Sequence, residues 1–332
     1  MTGNYKKIIN SLGKNRIRFN EILSGYTSLK IGGPADLFFK ASTVESLVEA
    51  VLAARNSHTP FFVLGGGTNI LFPDEGFRGL VIKNETSRIR LRGLTGRKYE
   101  KKTQSSFVDK VYLEVDSGVS INRLVRFSIE QNLAGMEYFL GQPGTVGGAV
   151  FINAHNMKEG AFFADRLISA RIYGKDCEEK NVPGEYFRFG YDRSAIQKTG
   201  EIVLTVTLEL KIGYKKLLWE KAKSCLEYRF KTQPGGVFTC GCLFRNIKHS
   251  DAIRLVTPGY TCSAGFLLES AGLKGKAVGR AMLSSHHANF LINMGGATAA
   301  DVLKLIALIK NKITQKYGLE LEPELIIVRS LN

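Results

Sequence analysis

The sequence predicts a mixed helix-and-strand fold with more than one domain, and three observations carry that prediction. Short apolar runs ending in glycine or polar residues alternate with segments whose apolar residues recur at helical period. The chain has 332 residues, room for two or three domains and a sizeable core. Hydrophobic residues make up 44% and charged residues 23%, a globular balance that excludes wholesale disorder.

The elements follow in order. Ser42 and Glu45 have the spacing of a capping box, and Val44, Leu47, Val48, Val51 and Leu52 then recur at helical period. Pro60 to Leu64 reads as a buried strand ending in glycines, and Phe77 to Ile82 and Val111 to Val115 as further strands. Between those two, Lys83 to Lys110 holds nine basic and three acidic residues without periodicity, which reads as a solvated loop or irregular hairpin. Ser120 to Asn132 predicts a helix with Ile121, Leu124, Val125 and Ile129 on one face. Leu167 to Tyr173 and Ile202 to Leu210 predict strands, and a basic stretch at Lys211 to Lys216 marks a domain boundary before a Trp-containing helix. Thr298 and Asp301 cap a last helix carrying Val302, Leu305, Ile306, Ile309 and Ile313, Gly318 stops it, and Leu325 to Val328 forms a final strand.

No apolar run approaches the ~18 residues a membrane-spanning helix needs, and no signal peptide is visible at Met1 to Asn20, so a cytoplasmic protein is expected. Five cysteines, an odd and sparse set, argue for reduced thiols. The net charge, 46 − 30 = +16, leaves nucleic acid, an anionic membrane surface and phosphorylated ligands open.

Three clusters carry candidate chemistry. Gly65-Gly66-Gly67-Thr68-Asn69 follows a strand; an anion-binding nest and a plain tight turn are both open, while Ile70 breaks a Rossmann fingerprint. Gln142-Pro143-Gly144-Thr145-Val146-Gly147-Gly148 is a second glycine-rich turn, and two such turns suggest one extended ligand touching both, such as a dinucleotide with its pyrophosphate. Cys240-Gly241-Cys242 lacks metal-ligand spacing, so no metal site is expected. His286-His287 reads as structural, and Glu320, Glu322 and Glu324 read by themselves as a solvated strand end.

Taken together, these clusters resemble the UDP-N-acetylenolpyruvoylglucosamine reductase family. The match runs through Thr27-Ser28-Leu29-Lys30-Ile31-Gly32-Gly33, Gly65 to Leu71, Gly135-Met136-Glu137-Tyr138 and Gln142 to Ala149. It continues through Gly190-Tyr191-Asp192-Arg193-Ser194, Gly241-Cys242-Leu243-Phe244-Arg245-Asn246, Glu269 to Gly275, His287-Ala288-Asn289-Phe290 and Leu321-Glu322-Pro323-Glu324.

The resemblance implies an α+β fold: a two-lobed FAD-binding domain of the vanillyl-alcohol-oxidase (PCMH) type over 1–212, an α+β substrate-binding domain over 213–317, and a C-terminal strand, 318–332, returning toward the active site. It implies an enzyme in which NADPH reduces FAD, hydride passes to the enolpyruvyl group of a UDP-sugar, and UDP-N-acetylmuramate forms for peptidoglycan. Gly65, Gly66, Gly67, Thr68, Asn69, Pro143, Gly144, Thr145, Gly147 and Gly148 would hold FAD, and Asn246 and Arg229 would meet the substrate. Cys242 stands where the family usually has its proton-donor serine, and a thiol, with pKa about 8.5, is a better acid than a hydroxyl. Glu324 and an arginine would flank the substrate carboxylate. Only Ala195 to Glu201 separates Ser194 from the next strand, as in the shorter subclass.

Three departures stand out. Tyr191-Asp192-Arg193-Ser194 puts Asp192 at the family's arginine position, leaving Arg193, or Arg188, to supply the guanidinium. Leu325-Ile326 removes an arginine after Glu324, and Asn153 to Met157 lacks the family's Gly-Ala-Tyr-Gly turn, which predicts a remodelled wall of the flavin site. Two other readings are another FAD-linked oxidoreductase of the same superfamily, with His155 as the candidate covalent link, and a basic nucleic-acid binder. The near absence of aromatics in Lys83 to Lys110 speaks against the latter. A monomer with no nucleic-acid or membrane partner is expected.

Overall fold

The computed structural model describes residues 3–97 and 107–329. They form two compact units: Met1–Ile17, Phe39–Gly66 and Val81–Arg229 make the first, and Arg18–Phe38, Gly67–Leu80 and Phe230–Asn332 the second. The chain therefore passes from one unit to the other five times.

The first unit is organised by an antiparallel sheet. Its central strand, Ile202–Ile212, lies between Leu167–Tyr173 and Phe107–Asp116, with Val206 opposite Val115 and Ala170. Glu179–Pro183 extends one side and Ile89–Arg97 the other. Both faces of the central strand are covered, so Val203 to Val206 are all buried and the alternation of its sequence does not mark a wet face. The helix Ile121–Glu130, capped by Ser120, packs Ile121, Leu124, Val125 and Ile129 into the same core as Leu113, Val115, Leu208 and Phe163.

The basic stretch after Lys83 forms an antiparallel hairpin of Ile89–Arg97 with Phe107–Asp116, with register shifts after Leu91 and Thr95; residues 98–106 lie outside those described. The strand Phe61–Leu64 is half-buried until Leu64, where the sequence predicts a fully buried one. The helix Val44–Asn56 starts one residue later than the Ser42 reading implies. Thr43 has the extended backbone a cap requires, accepts from Ser46 N at 3.1 Å, and donates its own N–H to Ser46 Oγ.

In the second unit Phe238–Cys242, Phe290–Asn293, Ala281–Leu283 and Ala277–Val278 form an antiparallel sheet in that order. The helix Ala299–Tyr317 buries Val302, Leu305, Ile306, Ile309 and Ile313 with Leu243, Leu283 and Leu291. Its Thr298–Asp301 capping box and its left-handed Gly318 stop match the sequence expectation. The Asp74 carboxylate accepts from the Ala299 and Ala300 N–H groups at 2.7 and 3.0 Å, satisfying two donors of the first turn. The final strand is short, Ile326–Ile327, and pairs in parallel with Ile70–Leu71.

The basic residues near 211–216 mark the start of the helix Lys215–Thr232, and the packing boundary falls later. Leu218 and Ala222 of that helix belong to the core of the first unit, which runs on to Arg229.

Candidate active site

In the first unit the two glycine turns meet. The strand Phe61–Leu64 delivers Gly65 so close to Thr145 that a Cβ at 65 would lie 2.6 Å from Thr145 Oγ1. Thr145 caps the short helix Val146–Ile152 and accepts from Gly148 N at 3.4 Å. The amides of Val146 and Gly147 donate to Val119 O and Ser117 O at 2.9 and 2.7 Å, which fixes the helix start against a loop. That loop is held in turn: Asn84 Nδ2 donates to Ser117 Oγ at 2.8 Å, and Gly118 N to Thr86 Oγ1 at 3.0 Å. Gly144 has φ 112, a value side chains rarely adopt, whereas a Cβ on Gly148 would meet only Thr145 Oγ1, at 3.6 Å. Packing within the protein thus does not require a glycine at 148, and the space in front of it is open. Lys83, from the stretch read as solvated, is half-buried and donates to Gly65 O; no sequence signal set it apart from its basic neighbours.

The second unit gathers Gly67, Thr68, Asn69, Cys242, Asn246 and Glu324. Gly67 is left-handed, and a Cβ there would lie 2.1 Å from Tyr26 O. Ser28 accounts for the Thr-Ser motif: its N–H donates to Gly67 O at 2.9 Å and its hydroxyl to Thr239 O at 2.7 Å, tying the turn to the strand that ends at Cys242. Between Thr239 and Cys242 the pairing slips at a bulge, and Gly241 takes φ 84. The bulge separates two chemically distinct thiols. Cys240 is 7% exposed, and burial first, then the charge of Glu324, pushes its pKa up to about 12. Cys242 is only half-buried and pairs with Phe290.

Glu324 is stitched in from both sides. Its N–H donates to Leu243 O at 2.9 Å, its carbonyl accepts from Asn69 Nδ2 at 3.0 Å, and Ile326 N donates to Asn69 O at 3.1 Å. The acid therefore sits beside the residue that follows Cys242. Asn289, buried in the His287 to Phe290 motif, clamps the same junction: its carbonyl accepts from Leu243 N, and its side chain both accepts from Phe244 N at 3.0 Å and donates to Phe244 O at 2.7 Å. Asn246 Oδ1 accepts from Ala264 N at 3.1 Å.

The arginines lie in the first unit. Arg193 is exposed on a tight turn in which Gly190 N donates to Arg193 O at 3.0 Å, and Arg188 is exposed as well. Asp192 is the inward residue of that turn, 1% exposed, left-handed, and 3.6 Å from His155 Nδ1. The His155 ring leans on Tyr191 and Phe162, and Asn153 Nδ2 donates to Gly190 O, so the departing 153–157 segment and the departing 190–194 turn are one packed unit. Arg229 Cδ lies 3.6 Å from where a Cβ on Gly141 would project. Among the described residues no group of three or more His, Cys, Asp or Glu is arranged to hold a metal, and no helix is long and apolar enough to cross a membrane.

Known proteins match this architecture. Residues 233–328 match the family model of the UDP-N-acetylenolpyruvoylglucosamine reductase C-terminal domain, and residues 35–178 that of an FAD binding domain. The UDP-N-acetylenolpyruvoylglucosamine reductase of Gloeobacter violaceus is 33% identical over 96% of this chain and 99% of its own length. That of Clostridium tetani is 31% identical over 97% and 95%. The crystal structure of the Thermus caldophilus reductase aligns with TM-score 0.72 and 31% identity, covering 94% of this chain and all of that one. The expected α+β class, an FAD-binding domain of the PCMH type with a reductase C-terminal domain, is thereby met. With motifs and matches running along nearly its whole length, the chain belongs to the UDP-N-acetylenolpyruvoylglucosamine reductase family of FAD-dependent oxidoreductases.

Proposed function

We propose that this protein reduces UDP-N-acetylglucosamine enolpyruvate to UDP-N-acetylmuramate, with NADPH as reductant and Cys242 as proton donor. The observation that carries the reading is the junction at Leu243, where the backbone of Glu324 is bonded to the residue after Cys242. It supports the reading because it joins, through the backbone, the segment that carries the acid to the segment that carries the thiol. Gly65, Gly66, Gly67, Thr68, Asn69, Pro143, Gly144, Thr145, Gly147 and Gly148 are assigned to FAD, and the open face at Gly148 and the close approach of Gly65 to Thr145 suit that group. Those residues would hold FAD, and the chemistry the group would supply when bound is hydride transfer from NADPH to the substrate.

Hydride arriving at the vinyl carbon builds negative charge on the carbon next to the carboxylate, and that charge has to be held and then quenched by a proton. Glu324 and the Arg193 guanidinium are assigned to the carboxylate, with Arg188 the alternative to Arg193. Cys242 delivers the proton from Sγ, and its half-buried position keeps it within reach of substrate, whereas Cys240 is sealed in the core. Asn246 and Arg229 are assigned to the UDP-sugar. In this scheme residues 1–212 hold the cofactor, 213–317 receive the substrate, and 318–332 bring Glu324 back to the cysteine strand.

The test is NADPH oxidation by purified protein given the enolpyruvyl sugar, for wild type, Cys242→Ser and Cys242→Ala. Turnover in wild type, reduced turnover in Ser and loss of about a hundredfold or more in Ala are expected. Full activity in Ala removes Cys242 from the role, and no substrate-dependent oxidation by flavin-loaded wild type removes the reaction.

A further inference from the structure

Lys83 is the penultimate residue of the strand Phe77–Asn84, in which every residue but it and Arg78 is buried. Its ammonium reaches inward and donates to Gly65 O, at the place where Gly65 touches the capping Thr145. A lysine has three N–H donors, and this partner is a neutral carbonyl. The nearby carboxylate, Glu85, is itself paired with Lys40 at 3.0 Å. Burial pulls the Lys83 pKa below its ordinary value; Glu85 opposes that and Lys40 adds to it. A half-buried ammonium beside two glycine turns, bonded to a dipole instead of an anion, is an electrostatic arrangement that an incoming anion completes.

We propose that Lys83 is the cation that binds a phosphate of the dinucleotide held by the Gly65 and Thr145 turns. The proposal rests on the flavin reading above and adds a charged residue to a cradle otherwise made of backbone and small side chains.

The test uses the full chain stripped of flavin and titrated with FAD by flavin fluorescence, at low and high salt, for wild type, Lys83→Met and Lys83→Gln. Melting temperatures without FAD are measured alongside. Both variants are expected to bind FAD about tenfold or more weakly, because each lacks the charge. Wild-type affinity is expected to fall more steeply with salt than that of Lys83→Gln, which keeps a donor for Gly65 O. If Lys83→Met does not fold, the Gln variant decides. Affinity of Lys83→Gln within about twofold of wild type, or an equal salt dependence, overturns the phosphate contact and leaves Lys83 as a clamp on the Gly65 carbonyl. Wild type that takes up no FAD overturns the flavin reading itself, a result distinct from wild type and variant binding alike.

Discussion

Two residues apart, Cys240 and Cys242 live in different chemistry, and the difference is measurable as a pH effect. The unfolded Cys240 thiol ionises near its ordinary value, about 8.5, while burial and the Glu324 charge push the folded thiol up to about 12. The stability tied to that proton is intact below the ordinary value. As pH rises from there toward the folded value, the unfolded state ionises and the native state does not, so stability drains by up to about 1.4 kcal/mol per pH unit. Urea midpoints across the alkaline range are expected to fall for wild type and to fall less for Cys240→Ala; parallel curves would sink the assignment. In the sequence, Cys242 was singled out only by the family resemblance, as the expected proton donor. Which thiol is sealed and which is accessible was not legible there, because that depends on a bulge at Gly241 and on a strand returning from Glu324.

Helix starts show at the level of the element how far periodicity carries. Val302 to Ile313 and the Thr298–Asp301 box were readable in full, since both lie within one helix and need no partner to be recognised. At the helix Val44–Asn56, Ser42 and Thr43 offer competing spacings, and the backbone at Thr43 decides between them. Thr43→Ala is therefore expected to lower stability by about 1 kcal/mol and exposed Ser42→Ala by a few tenths at most, read from thermal or urea unfolding. The reverse order would restore the Ser42 cap. Asn289 shows the opposite limit: it lies in the His287 to Phe290 motif, yet its two hydrogen bonds with Phe244 join residues 45 apart in sequence, which no local pattern reveals.

For the whole molecule, the change at 211–216 reads in the sequence as a domain boundary, because the composition turns basic there and a Trp-containing helix begins. The structure uses the same residues to launch a helix whose Leu218 and Ala222 complete the first unit's core. A chain that passes five times between units cannot be divided by composition, since segments such as Gly67–Leu80 belong to a unit whose bulk lies some 150 residues later. Cofactor binding acts at this scale too. A dinucleotide that binds the folded chain alone stabilises it by mass action, about 2.7 kcal/mol at a hundredfold excess over Kd. Added FAD should accordingly raise the melting temperature of flavin-free protein in a concentration-dependent way. A second experiment, on the flavin-loaded chain, separates this reductase from superfamily members that tether flavin covalently. His155, the candidate link, has Nδ1 facing the buried Asp192 carboxylate and its ring against Tyr191 and Phe162, a packed position rather than a presented one. Acid-denatured holoprotein is expected to release all of its flavin through a filter that retains the chain. Flavin that stays with the chain in wild type but not in His155→Ala would identify a tethered cofactor and favour the other FAD-linked oxidoreductases.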